Sequence, residues 1–130
     1  MSAILLASAS RGRAQMLRHA GLDFAAVPAA IDEAALTAGL AAAGQSARNI
    51  ADALAEAKAV KQSLRHPAAT VIGADSTLVL DDGTMLTKPD SPADAMAQLA
   101  RMAGARHRLF SAVVVAQGGA PIWRHVGEAR

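Results

Sequence analysis

Three parts of the chain carry residue types suited to handling a phosphate ester. Ser8-Ala9-Ser10-Arg11-Gly12-Arg13 combines two hydroxyls, a glycine and two guanidiniums in one short segment. It lies between an apolar run and the start of a helical pattern. A helix start aims free N–H groups and the positive end of the helix dipole at one spot. With guanidiniums beside it, that is a phosphate cradle. The plain alternative is a serine cap followed by surface arginines, because helix starts commonly carry Ser. Gly73-Ala74-Asp75-Ser76-Thr77 is the second part. It places a carboxylate at the end of an apolar strand, where α/β sheets hold ligands. Asp75 there could bind a divalent ion or activate a water, or simply satisfy backbone donors at a strand bend. Scattered charges make up the third part. Lys58 and Lys61 lie on an Ala-rich helix, and a lysine beside an apolar stripe commonly snorkels to solvent. Lys88 sits on a rigid turn between Thr87 and Pro89 and suits a phosphate contact. Asp32-Glu33 is either a metal-binding pair or a polar loop.

Other chemistries are poorly served. The chain has no Gly-x4-Gly-Lys-Ser/Thr and no Gly-x-Gly-x-x-Gly. His19, His66, His107 and His125 lack metal-ligand spacing. There is no cysteine, which excludes a disulfide scaffold, a thiol nucleophile and Cys-ligated metals. Two anion-friendly loops, a strand-end carboxylate and several cations remain. That set suits phosphate-ester chemistry with a divalent metal, Mg or Mn, where positioning and charge neutralisation do most of the catalysis.

The bulk composition agrees. With 130 residues and 52% hydrophobic residues, the chain is one domain able to bury a core. Thirteen basic against eleven acidic residues leave a net charge of +2, which is no nucleic-acid footprint. Aromatics at 2% argue against a base-stacking single-strand binder. No apolar run reaches the length of a membrane span, and Met1–Ala9 lacks the basic start of a signal peptide. A cytoplasmic protein without nucleic-acid or membrane partners is expected.

The elements that must position these residues follow from periodicity. Ala3–Ala7 reads as a buried strand, and Ser10 caps a helix that Gly21 ends. Phe24–Val27 reads as a strand, followed by a loop with Asp32 and Glu33. Ala34–Gly44 is ambiguous, with a short helix as one reading. Ser46–Leu64 is the clearest helix, with Ile50, Ala53, Leu54, Ala57 and Val60 at three- and four-residue steps. Thr70–Ala74 is a strand ending at Asp75. Thr77–Leu80 and Thr84–Thr87 form a hairpin about Asp82-Gly83. Pro92 opens a helix to about Met102. His107–Gln117 and Pro121–Val126 pair about Gly118-Gly119. The expected fold is a mixed α/β sheet flanked by helices, with a central cleft.

In this order the segments resemble the Maf family of nucleoside triphosphate pyrophosphatases. The matching stretches are Ile4–Ser10 with Arg13 and Met16-Leu17, Ala20-Gly21-Leu22, Ile31-Asp32-Glu33, Ala55–Ala59, Val71–Ser76, Lys88-Pro89 and Ser111-Ala112-Val113. The resemblance implies a fold like that of the inosine-triphosphate pyrophosphatases. It implies hydrolysis of a pyrimidine or modified nucleoside triphosphate to the monophosphate and diphosphate, with a divalent cation. By the same resemblance Asp75 is the proton acceptor, and Glu33 and Asp75 hold the metal. Ser8, Ser10, Arg11, Arg13, Lys58, Ser76 and Lys88 contact substrate. The family's loop usually reads Ser-x-Ser-Pro-Arg-Arg. Here Arg11 stands for the Pro and Gly12 for the first Arg, while Ser76 stands where Thr or Gln is common, so the base preference stays open. A nucleotide-binding regulator of division without turnover, or an inactive fragment, is the alternative. Residues 1–130 resemble the N-terminal two-thirds of such a domain, so a single domain incomplete at its C-terminal end is expected. Loss of the closing strands is expected to leave an open edge near Val113-Val114-Val115, and with it dimerisation or aggregation.

Overall fold

The computed structural model describes residues 3–86 and 91–130. In chain order the elements are β1 (Ile4–Leu6), α1 (Arg11–His19), β2 (Ala25–Ala26), α2 (Glu33–Ala42) and α3 (Ala47–Arg65). They continue with β3 (Thr70–Leu80), β4 (Met85–Leu86), α4 (Pro92–Met102), β5 (His107–Gln117) and β6 (Ala120–Ala129). Serine hydroxyls start three of the helices. Ser10, Ser46 and Ser91 each accept from the backbone N–H three residues on, and Asp32 does the same for α2. Such caps are worth roughly 1 kcal/mol each. They matter most for α2 and α4, which bury no residue fully.

Strand order is β2-β1-β3-β5-β6, with β4 also on β3. The strands β2, β1 and β3 run parallel, and β5 and β6 add antiparallel. β5 pairs with β3 from Val71 to Leu80. On its other side β3 is shared: β1 takes Thr70–Ile72 and β4 takes Leu78 and Val79. Among the described residues no strand pairs with residues 73–77 on that side. The sheet is split there, and Asp75 lies beside the split.

The helix α3 packs across β3 and β5. Its Ala51, Ala55 and Ala59 form one core with Leu5, Ala7, Val71, Val79, Phe110, Ala112, Val114 and Ala116. Alanines bring little apolar area, so this contact works by close approach. Gly73 makes the approach possible. A Cβ on it would collide with the Ala55 carbonyl oxygen and lie 2.8 Å from Ala59 N. Only glycine fits where backbone comes this near.

Several sequence expectations change. Asp75 does not end a strand; β3 continues unbroken to Leu80, because β5 pairs with it throughout. Glu33 is not in a loop but opens α2, and the ambiguous Ala34–Gly44 stretch is the rest of that helix. The second strand shrinks to Ala25–Ala26, and the last runs past Val126 to Ala129. Val113-Val114-Val115 is not at an edge, since β5 is paired with β3 on one side and β6 on the other. Thr87, Lys88 and Pro89 lie outside the described residues.

Candidate active site

Parallel strands carry their carboxyl ends to one side of the sheet, and ligand sites in α/β folds gather there. β1 leads into Ser8–Ser10 and the start of α1. β2 leads through residues 27–32 to Glu33 at the start of α2. β3 runs beside β1, on the side away from β2, with Asp75 at the split. Three segments distant in sequence thus converge because of strand direction.

On the α3 side of β3 lies an ion cluster. Lys58 Nζ is 2.7 Å from Glu33 Oε1 and 3.0 Å from Asp75 Oδ1. The Lys58 and Asp75 side chains are 11% and 14% exposed, against 51% for Glu33. Lys58 does not snorkel. It falls within the buried stripe Leu54, Ala55, Lys58, Ala59 and Gln62, so its stem is in the core and its ammonium meets carboxylates. A buried ammonium without such partners would carry a large desolvation cost. Burial pushes the Asp75 carboxyl above its ordinary value, and the nearby Glu33 charge adds to this. The Lys58 hydrogen bond and charge, and the Arg13 charge, pull the other way without cancelling it. Two convergent carboxylates, one with raised proton affinity, can accept a proton from water or share a hard cation.

On the opposite face a hydroxyl–guanidinium chain runs across the split. Arg13 Nη1 donates to Ser8 Oγ at 3.4 Å, and Arg13 Nη2 donates to Ser76 Oγ at 3.3 Å. Ser76 Oγ lies 3.2 Å from Ser111 Oγ, its cross-strand neighbour on β5. Ser8 Oγ also accepts from Ser10 N, and Ser10 Oγ from Arg13 N. These bonds hold the loop before α1 in a tight turn. Arg11 is the exposed first residue of α1.

The structure therefore gathers Ser8, Ser10, Arg13, Glu33, Lys58, Asp75 and Ser76. Asp32 is not part of the ion cluster, since its carboxylate caps α2 through Ala35 N at 3.0 Å. Three supporting residues make contacts that the sequence did not disclose: Gln62, Lys61 and Ser111. Gln62 donates to the carbonyls of Val27 and Pro28 at 3.3 and 2.8 Å, and Lys61 donates to the Ala30 carbonyl. Together they pin the segment that delivers Glu33. Gln62 stands four residues after Lys58, on the same face, which was the available signal. Ser111 is the third, and strand pairing is what brings its hydroxyl to Ser76. Cavities of about 580 and 620 Å³ lie elsewhere, one at Arg106, His107 and Arg130 and one at the start of α3; neither is lined by Asp75, Lys58 or Arg13.

Comparisons with known proteins match this architecture. A family profile described as Maf-like protein covers residues 3–130. The chain is 65% identical over 127 residues to a nucleoside triphosphate pyrophosphatase of Sphingopyxis alaskensis, covering 98% of this chain and 64% of that protein. It is 47% identical over 126 residues to a 7-methyl-GTP pyrophosphatase of Mesorhizobium japonicum, covering 97% and 63%. The chain thus spans just under two-thirds of the length of these curated relatives. A solved HAM1 protein from Coxiella burnetii superposes with TM-score 0.51 at 16% identity, covering 98% of this chain and 72% of that one, which shows a shared fold. A match across nearly every residue, with close relatives of the same kind, makes this chain a member of the Maf-like family.

Proposed function

We propose that this chain carries the nucleotide-cleaving site of a nucleoside triphosphate pyrophosphatase. The observation that carries the reading is the convergence at one split in the sheet of the Asp75 carboxylate, paired with Lys58, and the hydroxyl–guanidinium chain of Ser8, Arg13 and Ser76. In the proposed reaction Asp75 takes a proton from a water whose oxygen attacks the α-phosphorus. The bond from that phosphorus to the bridging oxygen breaks, and diphosphate leaves with a nucleoside monophosphate left behind. Arg13, Ser8, Ser10 and the free N–H groups of α1 hold the phosphates in place, where charge-assisted bonds are the strong ones. Arg11 is near enough in sequence to add a second guanidinium. Lys58 orients Asp75, and Ser76 with Arg13 contacts the nucleotide. Lys88 belongs to the same proposal but lies outside the described residues.

Glu33 and Asp75 fit a divalent cation, Mg or Mn. Both are hard oxygen donors converging on one point, and among the described residues no cluster of three or more His, Cys, Asp and Glu competes with them. Such ions commonly take one or two carboxylates and complete their shell with water and substrate phosphates. When bound, the ion neutralises phosphate charge.

The relatives' printed names cover nucleoside triphosphates generally and 7-methyl-GTP. Gly12 removes a side chain from the cradle and Ser76 shortens the group beside Arg13. The substrate is proposed to be a pyrimidine or modified nucleoside triphosphate, and neither Gly12 nor Ser76 chooses between them. A cytoplasmic location suits such a substrate. Diphosphate release from a nucleotide panel with Mg or Mn, using the full-length protein, tests the reading. Diphosphate and monophosphate are the expected products; orthophosphate as first product, or no hydrolysis of any nucleotide, overturns it.

A further inference from the structure

The two carboxylates of the site do not meet each other; they meet an ammonium. Lys58 Nζ touches Glu33 Oε1 at 2.7 Å and Asp75 Oδ1 at 3.0 Å, and so occupies the point on which both oxygens converge. The Lys58 side chain is nearly enclosed, while Glu33 is half exposed and stands at the first residue of α2, where its side chain has room to move. A divalent ion bound by the same two oxygens needs the position that the ammonium holds. Both cations cannot take it together, because a unit charge and a double charge at contact distance repel strongly in a partly buried site. The Lys58 stem is anchored on α3, so it is the ammonium head that has to give way.

We infer that Lys58 is an internal cation that competes with the divalent ion for Glu33 and Asp75. The free protein carries its own counter-ion and keeps the carboxylates converged. Metal loading displaces the ammonium, which then faces the polyphosphate. The inference rests on the proposal that Glu33 and Asp75 are cation ligands, and it adds that an internal competitor sets how tightly they bind.

Mn2+ affinity, measured by electron paramagnetic resonance on the protein without nucleotide, tests this apart from activity. Lys58→Met is expected to bind Mn2+ at least ~10-fold more tightly than the wild type, since affinity follows the net charge of the ligand set. The gain should vanish when Glu33→Gln is added. Equal or weaker binding by Lys58→Met, with Glu33→Gln abolishing binding in the wild type, overturns the competition and leaves the metal ligands standing. Binding that ignores Glu33→Gln, or no binding at all, overturns both. Should Lys58→Met not fold, the wild type decides by itself. The 13Cε NMR signal of Lys58 should move as Mg2+ saturates the protein, and an unmoved signal at saturation overturns the inference.

Discussion

The two faces of β3 differ although they are built from adjacent residues. Asp75 points toward α3 into a nearly dry ion cluster, while Ser76 points the opposite way into an exposed chain of hydroxyls and a guanidinium. On the buried face the surroundings are preset, and burial raises the proton affinity of the carboxyl. On the open face Ser76 and Ser111 are exposed and Ser8 is buried, and the groups hold one another by long contacts of 3.2 to 3.4 Å that a ligand could replace. The alternation of one strand thus separates the proposed proton acceptor from the residues proposed to contact the nucleotide.

The largest test of that separation is catalytic. Asp75→Asn is expected to cut turnover by at least ~100-fold with little loss of nucleotide binding, the usual scale for losing a general base. Arg13→Ala should act the other way, raising KM more than it lowers kcat. Steady-state diphosphate release from both variants reads the contrast, and matching changes in kcat and KM would erase it.

Next comes packing. Gly73→Ala forces a methyl into the Ala55 and Ala59 backbone, and should cost about 1–3 kcal/mol or more in urea unfolding. Because Gly73 sets the approach of α3 to β3, it should also loosen Lys58 from Asp75. Gly12→Ala meets only Ser10 Oγ at 3.9 Å, and should change stability by less than ~0.5 kcal/mol. A neutral Gly73→Ala would show that α3 has room to retreat.

A pH series sharpens the buried side. Burial raises the Asp75 carboxyl above its unfolded value. Between the two values the native state binds more protons than the unfolded state, so stability falls as pH rises there. The contribution is fully present below the unfolded value and lost as pH passes the folded one. Asp75→Asn lacks this titration. As pH rises above the ordinary carboxylate range, the wild type should lose stability relative to that variant in paired urea melts. A relative gain would mean that Lys58 outweighs burial.

The smallest effect belongs to the open face. Ser111→Ala removes one exposed hydroxyl contact and should alter stability by less than ~0.5 kcal/mol. A several-fold rise in KM without a change in kcat would show that Ser111 steadies Ser76 and Arg13; an unchanged KM would leave it a bystander.

Much of the site was legible in order but not in geometry. Ser8, Ser10 and Arg13 were readable because a strand-to-helix junction with hydroxyls and guanidiniums is a local pattern. Asp75 was readable as an acid after an apolar run, yet its place within a long strand was not, since only β5 makes that stretch continuous. Lys58 was readable from its pattern as a lysine that snorkels and from the family resemblance as a substrate contact, but its pairing with Glu33 and Asp75 was not. Local periodicity put it beside an apolar stripe, but nothing local says that two carboxylates meet it there. Lys61 and Gln62 were invisible as anchors for the same reason: their acceptors are carbonyls of a segment some thirty residues away.

By itself the amino-acid sequence determined the caps, the turns and the elements, because hydroxyl caps, positive-φ glycines and apolar periods act over a few residues. It also determined which side chains were available for phosphate chemistry. Only the tertiary structure decided which of them work together. Strand direction, the split beside residues 73–77 and the close seat of α3 on Gly73 are long-range events. They turned one lysine and two acids into a single ion cluster, and burial then raised the proton affinity of Asp75, which no residue type specifies.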